Sequence, residues 1–310
     1  MKKSTVSVII NCLNGSKYLR EAIDSVYAQT YNNWEIIFWD NASTDNSFEI
    51  AKSYDNRLQY FRGDKTVPLY SARNFALKQA TGKYVAFLDC DDMWLPNKLE
   101  LQVGAFENKM SLGLIHTNAE ILEQNGSKRI LHPEIQPSGK IFRDLLRAYN
   151  INMQTVMISA EALTSVGYCF DESMLFSGDA DLFLRIAHDW ELLYMPDITA
   201  RYREHGGSLT AKKIETLIIE SEKIIQNLSG KYINLNYEYR KELKSFRKRV
   251  QLSVIVAKWK YTGGEEARKT VIKNISSSNF LLYPLTFLPY EIVHFIWYRL
   301  LKGNFCINLK

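Results

Sequence analysis

Cysteine is scarce in this chain of 310 residues, and the four present (Cys12, Cys90, Cys169 and Cys306) lie far apart. No pair has zinc-site spacing, and nothing suggests a disulfide framework. The thiols read as free, in a reducing cytoplasm. A clean apolar run is also missing. Phe280 to Leu301 is rich in Leu, Phe, Tyr, Ile and Trp, but Pro284, Pro289, Glu291, His294 and Arg299 interrupt it. A spanning helix wants about 20 mostly apolar residues with few charges, so residues 279–301 read instead as an interfacial amphipathic segment. The N-terminus has two lysines and then a short strand, without the apolar region of a signal peptide. Aspartate is absent from the last hundred residues, where 18 Lys and Arg face 8 Glu, a balance of about +10. The first 210 residues hold 21 basic and 26 acidic residues, about −5. Such asymmetry predicts an anionic partner for the C-terminal part, and aromatic and basic residues together suit an anionic bilayer surface at the inner face of the membrane. No recognition motif accompanies the basic helices, which excludes nucleic acid. No glycine-rich basic loop follows the first strand, which argues against a nucleotidyltransferase.

What is present is ordinary for a soluble globular protein: 46% hydrophobic and 24% charged residues. The length predicts roughly two domains. Thr5 to Ile10 is β-branched and apolar, a buried strand. The polar turn Asn11–Ser16 follows, with Ser16 placed to cap the next helix, where Tyr18, Leu19, Ala22, Ile23 and Val26 recur at helical spacing. Trp34 to Trp39 is a second strand, ending in Asp40-Asn41-Ala42-Ser43-Thr44-Asp45-Asn46-Ser47. A short helix, a third strand at Leu58 to Phe61 and a helix over Ser71 to Ala80 complete an alternation that signals a doubly wound, mostly parallel sheet.

The rest is organised around Val85-Ala86-Phe87-Leu88-Asp89-Cys90-Asp91-Asp92. Four apolar residues without alternation read as a strand buried on both faces. Three carboxylates then stand at its C-terminal end, where open α/β sheets bind ligands. Their mutual repulsion calls for a cation, most simply a divalent metal with room left for phosphate oxygens. Asp40 also ends a strand, so the sheet should bring Asp40 and Asp89 to one edge.

Several motifs together resemble the N-terminal half of family-two inverting glycosyltransferases with the GT-A fold. They are SVII-x₃-N-x₃-YL, QTY-x₃-EII, DNASTDNS, SARN and ATGKYVAFLDCDDMWLP-x-KL, over residues 5 to about 102. The resemblance resumes at Gly178–Arg185 and at Tyr202–Ser208. It implies a Rossmann-like GT-A catalytic domain over 1–210, with a nucleotide-sugar half over 1–102 and an acceptor half over 103–210. A basic helical extension, 211–310, follows. The implied reaction is hexosyl transfer from a nucleotide sugar, most simply a UDP-sugar, to a hydroxyl of a glycan or lipid-linked glycan in cell-surface polysaccharide assembly.

The resemblance also implies residue roles. Asp40 accepts a hydrogen bond from the donor base, as an acceptor-only carboxylate suits an imide N–H. Asn14 and Arg73 contact the donor. Asp89 and Asp91 are the outer members of a D-x-D motif that binds Mg²⁺ or Mn²⁺ with the donor ribose and diphosphate; Asp91 makes the direct metal contact and Asp92 assists. Asp179 is the general base, with a lesser role for Asp181. His205 reaches the metal or diphosphate from a loop whose two glycines allow close approach, with Arg203 beside it. Three departures stand out: Asn11-Cys12-Leu13 where relatives carry Pro and Tyr, Asn41-Ala42 where Asp-Gly is commoner, and Gly178 where Glu is common.

In the middle of the chain, Leu114–Ala119 reads as a strand, Asn125-Gly126 as a hairpin turn, Ser138 to Asn152 as a helix and Ile151 to Ile158 as a strand. After residue 210, helices are expected over Ile214–Leu228, Tyr232–Tyr261 and Glu265–Lys273, broken by Gly263-Gly264.

Overall fold

The β-branched run Val6–Cys12 is buried along its whole length and forms β1. A computed structural model of the chain describes residues 5–123, 126–167, 169–204, 215–262, 264–273 and 287. The chain divides into two compact units, one comprising Met1–Phe142 with Ile151–His205, the other Arg143–Asn150 with Gly206–Lys310.

In the first unit, β1 is followed by α1 (Ser16–Tyr27), β2 (Trp34–Asp40), α2 (Ser47–Lys52), β3 (Leu58–Arg62), α3 (Leu69–Leu77) and β4 (Tyr84–Asp89). These strands are mutually parallel, with β1 paired to β2 on one side and to β4 on the other. The face of α1 that carries Leu19, Ala22, Ile23 and Val26 is buried. Leu19, Ile23 and Val26 each contribute about 1.5–3 kcal/mol relative to exposure. Ser16 does not cap this helix. Gly15 holds the cap position, without a side-chain bond, and the Ser16 amide donates instead to Asp45 at 2.9 Å. Burial would raise the Asp45 pKa, but the bonds it accepts from Ser47 and Ser16 outweigh it and hold the value down to about 2.

Beyond β4 come β5 (Met93–Trp94), α4 (Lys98–Asn108), β6 (Leu112–Leu122) and β7 (Lys128–Ile130), and after α5 (Phe142–Arg147) come β8 (Met157–Ser159), α6 (Ala160–Ser165), α7 (Gly178–Asp189) and β9 (Glu191–Arg203). The strand order is β3-β2-β1-β4-β8-β6-β9-β5, with β7 paired to β6. The fold is therefore α/β, with a mixed sheet whose first four strands are parallel. β8 runs antiparallel to both its neighbours. The hairpin joining β6 to β7 closes where Asn125-Gly126 predicts it, with Gly126 at φ 83°.

The expected helix over Ser138 to Asn152 shrinks to α5. Gly139 sits at φ 100° and exchanges two backbone bonds with Leu192, at 2.7 and 2.9 Å. That pairing ties up the backbone the first turn would need. At the other end Asn152 accepts the Gln154 amide and opens a 3₁₀ turn, Met153–Thr155, in place of the first half of the expected strand.

The second unit contains α8 (Thr216–Lys231), α9 (Leu235–Glu238), α10 (Arg240–Thr262) and α11 (Gly264–Lys273). Within it, Arg143 and Arg147 both hold the buried Glu242, at 3.0 and 2.7 Å. Arg249 donates to the carbonyls of Leu145 and Leu146, a cation at a helix C-terminus. These bonds explain why 143–150 groups with the C-terminal helices. No described helix is long and apolar enough to cross a membrane. Residues 279–301, read as interfacial, lie outside the described residues.

Candidate active site

The sheet register brings the strand-end carboxylates to one edge, as their positions in the sequence predict. β1 sets Asn11 beside Asp89 and Cys12 beside Asp40. Ligand oxygens of Asp89, Asp91 and Asp92 lie within 4.8 Å of one another. Asp89 is held from two sides. The buried Arg73 of α3 donates to Oδ1 at 2.7 Å. Gln154, in the 3₁₀ turn, donates through Nε2 to Oδ2 at 2.6 Å, and its Oε1 accepts the Asp89 amide at 2.9 Å. Asp92 is buried and accepts the Arg203 amide at 2.8 Å. The Arg203 guanidinium donates to the Asp91 carbonyl at 3.2 Å and to Glu21 at 2.8 Å, and lies 4.3 Å from the Tyr18 ring centre. Arg203 thus fastens the acidic turn to α1. His205 lies outside the described residues.

Asp179 stands in the first turn of α7, a position that favours a carboxylate. Tyr70 of α3 donates to its Oδ1 at 3.2 Å. The guanidinium of Arg73 packs 5.5 Å from the Tyr70 ring and 5.8 Å from Phe170. Burial works against the Arg73 charge, but attraction to Asp89, Tyr70 and Asp179 prevails and raises its pKa. One face of α3 therefore links the acidic turn to Asp179. The same face explains Gly178. A Cβ there would come within 2.8 Å of the Tyr70 ring, so Tyr70 fills the space where a side chain at 178 would begin. Asp181 is fully buried and paired with Arg185 of its own helix at 2.9 Å.

The Asp40 end of the edge is an interlocked pair of loops. Asp40 is fully buried. Its Oδ1 accepts the Ser43 amide at 2.7 Å, and its Oδ2 accepts the Tyr60 hydroxyl at 2.6 Å and Arg62 at 2.8 Å. Burial, and then the bond to Asp40, push the Tyr60 phenol up to about 12. The side-chain amide of Asn41 pairs in both directions with the backbone of Val67, at 2.8 and 3.1 Å. Asn14, at φ 54°, accepts the Thr44 amide at 2.7 Å. Tyr70 and Gln154 carry no motif of their own, and only the fold brings them to the site. Their polarity in otherwise apolar segments is the one signal the sequence offers.

The donor set of the acidic turn suits a hard divalent cation, being all oxygen.

The model of the family described as "Glycosyl transferase family 2" matches residues 7–160. A UDP-Glc:alpha-D-GlcNAc-diphosphoundecaprenol beta-1,3-glucosyltransferase, WfgD of Escherichia coli, is 30% identical over 215 residues, covering 68% of this chain and 82% of the relative. The chain belongs to glycosyl transferase family 2. Solved structures agree with that membership at the level of fold. A crystal structure of S. aureus TarS 1-349 with UDP-GlcNAc superposes with TM-score 0.58 at 16% identity, covering 87% of this chain and 89% of that one. The mannosyltransferase PcManGT of Pyrobaculum calidifontis, solved with GDP-Man and Mn²⁺, gives TM-score 0.58 at 17% identity, covering 98% and 86%. The family chain described here thus has the GT-A fold, and membership makes it a transferase.

Proposed function

We propose that this chain transfers a sugar, with inversion and with the help of Mg²⁺ or Mn²⁺, from a nucleotide donor to a hydroxyl of a glycan or lipid-linked glycan. The carrying observation is the bridge made by Tyr70 and Arg73 between the Asp89–Asp92 turn and Asp179. It links the Asp179 carboxylate to a turn whose all-oxygen donor set suits a cation. UDP is the favoured nucleotide, and cell-surface polysaccharide assembly the process. The WfgD relative, named for a diphosphoundecaprenol-linked sugar acceptor, supports a lipid-linked acceptor. We place the reaction in the cytoplasm, at the inner face of the membrane, with 279–301 against the lipid surface. Residues 1–102 bind the donor, 103–210 the acceptor, and 211–310 form the basic extension.

Each residue's part follows from its setting. Asp179 takes the proton of the acceptor hydroxyl as that oxygen attacks the anomeric carbon from the face opposite the leaving group. One base suffices for inversion, and no second carboxylate is needed as nucleophile. Tyr70 orients Asp179. Asp91 and Asp89, with Asp92 and His205, would hold the cation, which would supply positive charge to offset that of a leaving diphosphate. Arg73 and Asn14 border the donor, and Arg73 fixes the Asp89 carboxylate. Asp40 faces the base; to reach its carboxylate, the imide N–H displaces Arg62, the half-exposed member of its three donors.

The test is a screen of nucleotide sugars for transfer or hydrolysis with Mn²⁺ or Mg²⁺, with and without EDTA. UDP release from one donor, abolished by EDTA and by Asp91→Ala, is expected. Asp179→Asn should lower turnover by about 10²–10⁴-fold while UDP still binds. Turnover that survives both Asp91→Ala and EDTA would remove the cation from the reading.

A further inference from the structure

We propose that Cys12 and Cys90 form a redox-active dithiol site beneath the acidic turn, closed to a disulfide by a two-electron oxidant of the peroxide class. The register that pairs Asn11 with Asp89 sets the next residues, Cys12 and Cys90, side by side at the ends of β1 and β4. Neighbouring strands lie about 4.8 Å apart, inside the range of about 4.4–6.8 Å between disulfide Cα atoms. The sulfurs also point into one small space. A methyl group placed on Gly15 would stand 2.6 Å from Cys90 Sγ and 2.9 Å from Cys12 Sγ. Gly15 lies over both sulfurs, and having no side chain it leaves room for the two to meet. Both thiols are free. Cys12 is buried and Cys90 partly buried.

The chemistry balances in two steps. The Cys90 sulfur attacks one peroxide oxygen; an S–O bond forms, the O–O bond breaks, and hydroxide leaves and takes the thiol proton as water. The Cys12 sulfur then attacks the sulfenic sulfur; the S–S bond forms, the S–O bond breaks, and the departing hydroxide takes the second proton. Two thiols lose two electrons and two protons, and one hydrogen peroxide becomes two waters. Cys90 sits between Asp89 and Asp91, so a bond of about 2.05 Å to β1 pulls the acidic turn against its clamps from Arg73 and Gln154. Oxidation thereby weakens cation and donor binding. This consequence rests on the proposed function; the disulfide itself does not.

Full-length protein treated with hydrogen peroxide and digested with trypsin under non-reducing conditions tests the site. The expected product is one cross-linked pair, Ser4–Lys17 joined to Tyr84–Lys98, lighter by two hydrogens. It should vanish with dithiothreitol and in Cys12→Ser and Cys90→Ser. Cys12 and Cys90 recovered on separate peptides, as thiols or as sulfinic acids, would overturn the site. Calorimetric titration of UDP with Mn²⁺ tests the control. Affinity of the oxidised protein should fall about tenfold or more, as when other outer contacts of a metal site are lost. Dithiothreitol should restore it, and peroxide should leave Cys12→Ser unmoved. A cross-link with unchanged UDP affinity overturns the control. A reduced protein that binds no UDP indicts the proposed function, while the peptide result still decides the dithiol.

Discussion

Gln154 holds Asp89 at both ends, accepting its backbone amide at 2.9 Å and donating to its carboxylate at 2.6 Å. The antiparallel register of β8 on β4, which pairs Ala86 with Met157, runs on to set these two residues opposite each other. A buried amide used in this way fixes both the direction and the rotamer of the carboxylate. The turn behind it is fixed in the same manner, since the Trp94 indole donates to the Gln154 carbonyl at 2.9 Å.

Gln154→Leu keeps the volume and removes both side-chain bonds. The Mn²⁺ concentration for half-maximal UDP release should rise about 10–100-fold, the usual cost of losing an outer contact to a metal ligand. An unchanged Mn²⁺ midpoint with lowered thermal stability would reduce Gln154 to a packing role.

Gly178→Glu installs the residue common in the family and should harm this chain. Its Cβ would meet the Tyr70 ring at 2.8 Å, and overpacking of this kind costs about 1–3 kcal/mol. Displaced, Tyr70 also releases Asp179. We expect a lower melting temperature and a lower kcat, with the melting temperature recovered when Tyr70→Ala is added. A Gly178→Glu protein as stable and active as its parent would show that Tyr70 moves freely.

Ala42 sits at φ 64°, in the left-handed region where a Cβ is unfavourable. Ala42→Gly relieves a strain of about 1 kcal/mol, partly offset by the greater freedom of glycine in the unfolded chain. Chemical denaturation should show a small gain in stability. A loss of more than about 1 kcal/mol would mean that the loop is held in this conformation at no cost.

His116 is fully buried in β6, and neither ring nitrogen has a hydrogen-bond partner among the described residues. Burial, with a smaller contribution from the charge of His132, lowers its pKa from 6.5 to about 3. The folded value is depressed, so below pH 6.5 the unfolded chain takes a proton that the folded chain refuses. The stability is whole above pH 6.5 and drains as pH falls towards 3, by about 2 kcal/mol at pH 5. His116→Phe should flatten the difference in urea midpoint between pH 8 and pH 5. An identical pH dependence in the two proteins would place the acid sensitivity elsewhere.

The doubly wound half was legible because its signals are local. Strand and helix periods alternate at short spacing from Thr5 to Asp92, and each strand that ends in a carboxylate must deliver it to the same edge of a parallel sheet. Asp40 and Asp89 do stand at one edge, on the two neighbours of β1, whereas Asp179 entered only through the family resemblance. The helix over Ser138 to Asn152 was misread because its apolar spacing is local, whereas the bonds that undo it come from Leu192, far along the chain. The setting of Arg203 was hidden likewise, because the Asp91 carbonyl and Glu21 that its guanidinium meets lie far along the chain.

The sequence by itself determined the fold class, the order of the first strands and which carboxylates end them, since burial pattern and turn chemistry act over a few residues. Only the tertiary structure decided what each carboxylate faces. The partnerships of Asp89 with Gln154, of Asp179 with Tyr70 and of Cys12 with Cys90 join residues that are distant in the chain. They exist because sheet register and helix packing fix positions that no local preference encodes. Hydrogen bonds and thiol contacts then depend on separations of a few tenths of an ångström.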